Sequence, residues 1–159
     1  MCRLCDWDTK SFEEKKILIA KSDIIINRCS IITSIPSELV NLRTLDCSNC
    51  PLLTGIPPEL INLRILICAQ CPMLNNIPPT LVNLKNLWCG SCALLDSIPL
   101  TLVALRDIDC SNCRLIAEIP PELINIVSLD CRVCPLITDI PPTLVNLRKL
   151  NYSYCPLLT

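Results

Sequence analysis

Five Cys-x-x-Cys pairs are the first residues in this sequence that invite a chemical reading: Cys47/Cys50, Cys68/Cys71, Cys89/Cys92, Cys110/Cys113 and Cys131/Cys134. Two such pairs can hold a tetrahedral zinc ion. Zinc needs one four-ligand cluster, however, and has no use for five tandem pairs, so the cysteines read as core residues and no metal ligand or cofactor is assigned. The chain has 159 residues, 14 of them cysteine, with no histidine and two glycines. Without histidine, Ser-His-Asp and Cys-His sites are excluded. With two glycines there is no glycine-rich phosphate loop. An enzyme would have to use carboxylates, lysine or thiols alone.

The elements that position these cysteines follow from a strict period. Cysteine recurs every 21 residues at 29, 50, 71, 92, 113, 134 and 155, and a second column holds Cys47, Cys68, Cys89, Cys110 and Cys131, with Ile26 before it and Tyr152 after it. Ile-Pro recurs in register from Ile35-Pro36 to Ile140-Pro141, and no insertion breaks the pattern from Ile24 on. Self-similarity of this length signals a solenoid. In the unit LRTLDCSNCPLLTGIPPELIN, from Leu42, the segment TLDCS alternates outward and inward residues, which predicts a short strand whose successors lie beside it in parallel. Pro57, Pro58 and Glu59 predict a single helical turn at the back, and the column of Asn41, Asn62, Asn83, Asn125 and Asn146 is expected to take the left-handed conformation at its exit. The 14 prolines forbid long helices, and no apolar run approaches the roughly 18 residues of a membrane span.

The pattern L-x-x-L-x-C-x-x-C-x-x-L-x-x-I-P-x-x-L resembles the leucine-rich repeat family, with the Cys50 column where that family usually carries asparagine. The run CPLITDIP from Cys134 to Pro141 is similar to the cysteine-containing branch, and the short, thiol-rich form is similar to small repeat proteins of large DNA viruses of amoebae. The resemblance implies an α/β fold: a right-handed, curved solenoid with a parallel β-sheet on its concave face and short helical or 3-10 turns on the convex one. It also implies a non-catalytic module that binds a protein partner on the sheet face. The chain then divides into a partly helical amino-terminal cap over 1–23 and about 6.5 repeats over 24–159.

In such a sheet Ile65, Ile67 and Trp88 are outward neighbours, rimmed by Asp46, Asp107, Asp109 and Asp130. An exposed tryptophan beside two isoleucines has the composition of a binding hot spot, and these seven residues are the expected partner surface. The alternative, that the aspartates act as paired catalytic carboxylates, needs a closed pocket that an open sheet does not offer, so no catalytic residue is assigned. Arg43, Arg64, Lys85, Arg106 and Arg148, interrupted by Val127, should form a solvated basic rim. With a net charge of -1 and no interleaved aromatics, neither nucleic acid nor a membrane surface is an expected partner.

A solenoid must close its ends. Ser11-x-x-Glu14 has capping-box spacing before EEKKILIA, which predicts a short amphipathic helix at the amino end, with Trp7, Phe12, Cys2 and Cys5 in the same cap. Tyr152 and Tyr154 are expected to shield the other end, where Leu150, Cys155 and Leu158 should face solvent, so that either a truncated chain or a homodimer through that end is expected. The amino terminus does not read as a secretory signal, which places the thiols in a reducing, cytoplasmic setting (a host cytoplasm for a viral protein) and predicts that they stay unpaired. Within one column, equivalent residues of adjacent strands lie about 4.8 Å apart with parallel side chains, which does not suit a disulfide.

Overall fold

A computed structural model describes Leu4 and residues 6–158. Cys2 and Cys5 of the expected cap therefore lie outside the described residues, as does Thr159. The described residues form one seven-stranded parallel sheet in sequence order: β1 (Asp23–Ile25), β2 (Thr44–Asp46), β3 (Ile65–Ile67), β4 (Asn86–Trp88), β5 (Asp107–Asp109), β6 (Ser128–Asp130) and β7 (Lys149–Asn151). Each strand is one coil of a solenoid. Every pairing joins residues 21 apart, from Leu45 with Leu66 to Leu129 with Leu150, so each sequence column becomes a straight row in space.

The middle residue of each strand from β1 to β6 points into the core, where the leucines of the repeat are fully enclosed. Each enclosed leucine contributes roughly 1.5–3 kcal/mol of burial. Both cysteine columns lie in the same core, with Cys47, Cys50 and their successors through Cys134 at 0% exposure.

The back of each coil holds two abutting turns and no helix. The Leu60 N–H donates to the Pro57 carbonyl over 3.3 Å, and the Leu63 N–H to the Leu60 carbonyl over 3.0 Å. Pro58 sits at the second position of the first turn, where its fixed φ is pre-set. The expected helical turn thus appears as i to i+3 bonds of the 3-10 kind.

The asparagine column behaves differently from expectation. None of Asn41, Asn62, Asn83, Asn125 and Asn146 has a positive φ. The left-handed corner falls instead just after each strand, at Arg28, Asn49, Gln70, Ser91, Asn112, Val133 and Tyr154, with φ between 56 and 64°. The asparagines use their side-chain amides: Asn62 Nδ2 donates to the Val40 carbonyl over 2.9 Å, and Asn83, Asn125 and Asn146 make the equivalent bond in their own coils. Each amide satisfies a backbone carbonyl of the previous coil, so the ladder runs along the seam from coil to coil.

The amino-terminal cap carries a 3-10 turn at Trp7–Thr9 and a helix, α1 (Phe12–Ile19). Ser11 and Glu14 form the expected capping box. Asn41, the first rung of the amide ladder, donates to the Ile19 carbonyl over 3.0 Å and so ties the helix to the first coil. Trp7 is buried, with the Lys15 ammonium 5.5 Å from its ring centre. Phe12 does not join the cap core and is 78% exposed. It stands six positions from the buried Leu18, on a different face of a helix with 3.6 residues per turn.

Candidate functional site

Among the outward strand positions, the third residues form one row: Ile25, Asp46, Ile67, Trp88, Asp109, Asp130 and Asn151. Trp88 therefore stands between Ile67 and Asp109, and Asp130 lies beyond Asp109. In the parallel row formed by the first residues, Ile65 and Asp107 flank Asn86. All seven expected partner-surface residues thus share one face of the sheet. Trp88 is 39% exposed, and Ile65 and Ile67 are half-buried. Ile25, 66% exposed at the start of the Trp88 row, is separated from Ile67 by Asp46.

Beside Trp88 the floor is low. The next outward column reads Ser48, Ala69, Gly90, Ser111. A Cβ on Gly90 would lie 2.9 Å from Ser111 Oγ and 3.2 Å from Asp109 Oδ1, so glycine is what lets these side chains close over that corner. The indole accordingly rises next to residues with little side chain of their own.

The aspartates have structural partners. Asp46 accepts from the Ser48 N–H over 3.0 Å, the Ser48 hydroxyl over 2.7 Å and the Asn27 amide over 3.1 Å. Asp109 accepts the Ser111 N–H over 2.9 Å, and Asp130 accepts the Arg132 N–H over 3.2 Å. A carboxylate that takes the N–H two residues on is an Asx turn. Each one fixes the corner that leads into the left-handed residue, at Asn49, Asn112 and Val133. Asp107 instead accepts the Asn86 amide over 2.9 Å. The acidic border is therefore held rigid by hydrogen bonds within the fold.

The inward thiols make a second ordered array. Cys71 Sγ donates to the Cys47 carbonyl over 3.2 Å, and Cys92, Cys113, Cys134 and Cys155 do the same to the carbonyls of Cys68, Cys89, Cys110 and Cys131 over 3.0 to 3.2 Å. Each thiol thus reaches back one coil and three residues. The neighbouring Cys92 thiol, followed by burial, pushes Cys68 well up, and the Cys68 thiol in turn lowers Cys92. Cys110 and Cys134 repeat that pattern. Burial above all pushes Cys71 up to about 11, and burial followed by the neighbouring Cys155 thiol pushes Cys131 up to about 12. Among the described residues, no three cysteine or acidic side chains converge to hold a metal ion.

Arg43, Arg64, Lys85, Arg106 and Arg148 are exposed along the rim, as expected. Where Val127 replaces a basic residue, Arg106, Asn125, Val127, Asn146 and Arg148 line a notch of about 210 Å³. At the far end Leu150, Tyr152 and Tyr154 are exposed, while Leu158 is half-buried. Cys155 is 8% exposed, and thus does not face solvent as expected, because its thiol turns back to the previous coil.

Two exposed apolar columns escape a reading that looks only at the strands. Ile31, Leu52, Met73, Leu94, Leu115, Leu136 and Leu157 run along one side of the coils, and Val40, Ile61, Val82, Val103, Ile124 and Val145 along the back. Their signal was present in the sequence as apolar residues at fixed positions of every repeat. Neighbouring inward leucines made them look like core.

The Leucine Rich Repeat family pattern matches residues 41–63 and 104–126. Among solved structures, the leucine-rich repeat domain of the type III effector XCV3220 (XopL) superposes with a TM-score of 0.66 at 20% identity, over 82% of this chain and 51% of that one. TLR13, in its complex with ssRNA13, superposes with a TM-score of 0.64 at 20% identity, over 89% of this chain and 23% of that one. The chain thus spans about half the length of the first and about a quarter of the second. No curated protein matches it in sequence. Among the described residues no helix is long and apolar enough to cross a membrane.

Proposed function

We propose, from the premise that this chain is a leucine-rich repeat protein, that it is a non-catalytic scaffold whose outward sheet face binds a protein partner around Trp88. The observation that carries this reading is the position of Trp88: an exposed indole between Ile67 and Asp109 on the outward face of the sheet. Tryptophan in that setting can enter a partner's pocket, and tryptophan is among the residues most enriched at binding hot spots. The aspartates around it are already fixed by backbone N–H groups and amides, so they present charge without having to be ordered on binding. Such a face suits a partner with an apolar pocket bordered by lysine or arginine.

The test is partner capture by the natural chain and by Trp88→Ala, with Leu94→Glu as the variant of the side column. Loss of capture in Trp88→Ala alone supports the reading. Loss in Leu94→Glu alone moves the site to the side column. A competing single-stranded RNA in the same assay separates a protein partner from nucleic acid.

Self-association is the alternative reading, favoured by the exposed Leu150 and Tyr152 on and beside β7. It requires a sedimentation mass that rises with concentration and falls back to one chain in Tyr152→Asp.

A further inference from the structure

The eye-catching cysteine spacing in the sequence is three residues, but the spacing that matters in space is 24. Cys47 and Cys71, Cys68 and Cys92, Cys89 and Cys113, Cys110 and Cys134, and Cys131 and Cys155 sit diagonally across the seam between successive coils. In each pair the later sulfur is 3.0 to 3.2 Å from the carbonyl oxygen of the earlier cysteine. In the last four pairs the two thiols are also near enough to shift each other's titration. The objection to disulfides within one column, that equivalent side chains run parallel about 4.8 Å apart, does not apply to a diagonal pair in which the later thiol already reaches across the seam to the backbone of the earlier cysteine.

We propose that these cross-coil thiol pairs are sites of reversible disulfide formation, through which a small-molecule disulfide staples each coil to the next. In the reaction one cysteine, as its thiolate, attacks the oxidant and forms a mixed disulfide, releasing one small thiolate. The second cysteine loses its proton to solvent and attacks the first cysteine's sulfur, releasing the other small thiolate. Two cysteine thiols are oxidised, and one small disulfide is reduced to two small thiols, which take up the two protons.

Burial sets where this starts. Nine of the ten sulfurs concerned have no exposure, whereas Cys155 is 8% exposed. Exchange in the folded chain needs a coil to open, so the Cys131/Cys155 pair should close first. A staple between coils acts on the seam that the thiol bonds, the amide ladder and the sheet hold noncovalently. In the reduced state neighbouring coils can separate individually, and in the oxidised state they cannot.

The basic rim makes the test direct, because trypsin cuts after Arg64, Lys85 and Arg106, between coils. The full chain is refolded from denaturant in a buffer of oxidised and reduced glutathione, alkylated, digested and mapped without reductant. Refolding removes access to the buried sulfurs as a limit. The proposal expects peptide 65–85 joined to 86–106 through Cys68 and Cys92, and peptide 115–132 joined to 150–159 through Cys131 and Cys155. A loop within 65–85, or a join of 115–132 to 133–148 through Cys131 and Cys134, would show three-residue pairing and overturn it. Complete alkylation would overturn it as well. Cys155→Ser should lose only the second join and keep the first. The oxidised chain should melt about 5 °C or more above the reduced one, since each link closes a loop of intermediate length. An unchanged or lower midpoint would rule out stapling.

Discussion

The thiol of Cys71 donates to the backbone carbonyl of Cys47, 3.2 Å away across the seam between two coils. Backbone bonds at that corner run from the Cys47 N–H to Ile67 and from the Asn49 N–H to Ala69, leaving the Cys47 carbonyl to the thiol. Cys71→Ala should therefore cost about 2 kcal/mol, by stranding a buried acceptor and opening a small void. Denaturant unfolding measures it. A cost equal to that of a surface substitution would mean that the thiol only fills space.

Ala104 occupies the one position between Asn41 and Asn146 where the amide ladder lacks its asparagine. By the ladder's spacing of 22 residues, Ala104→Asn would place a donor against the Val82 carbonyl. The expected gain is about 1 kcal/mol, the net value of one hydrogen bond. Asn125→Ala should lose a similar amount, and both are read from denaturation midpoints at constant m-value.

Val133 has a φ of 58°, in a column where Asn49 and Asn112 hold the same conformation. A β-branched residue is strained there, whereas asparagine tolerates it. Val133→Asn should raise stability by about 1 kcal/mol, the scale of such strain. A fall in the melting midpoint would show that the half-buried valine side chain contributes more through packing than its backbone costs.

The raised thiols make stability depend on alkaline pH. A folded pKa above the unfolded one favours the protonated native state, so the contribution is complete below the ordinary thiol value of 9.0 and is lost as pH rises through the folded value. For Cys71 and Cys131 that window runs from 9.0 to about 11 and from 9.0 to about 12. At about 1.4 kcal/mol per pKa unit, these two groups account for a loss of several kcal/mol across it. Melting midpoints measured under reductant from neutral pH upward should begin to fall near pH 9.

The period made the coil, the strand and the two inward cysteine columns legible from residues alone, because a 21-residue repeat without insertions admits only one register. The placement of the candidate partner-surface residues followed from the same alternation, and Trp88 does stand beside Ile67 on the outward face. Three features were hidden for physical reasons. The left-handed corner is occupied by Arg28, Gln70 and Val133 as well as by asparagine, so composition did not mark it, while Asn62 looked like a corner residue and proved to be a donor. The partner of Cys92 is Cys68, a relation of one coil plus three residues that no local motif expresses. The third is Phe12, apolar and close to the buried Trp7 in sequence, which a capped helix turns toward water.

Strict register across β1 to β7 has one more consequence, which concerns length. Removing residues 65–85 would join Arg64 to Asn86, putting Arg64 before β4 in the place that Lys85 now holds, and β4 would then lie against β2. Nothing in the seam would need to be redesigned, since each column would simply lose one member. What would change is the company Trp88 keeps: Asp46 would replace Ile67 at its side. In a chain of this kind, gain or loss of whole coils leaves the architecture intact while re-sorting the residues on its outward face.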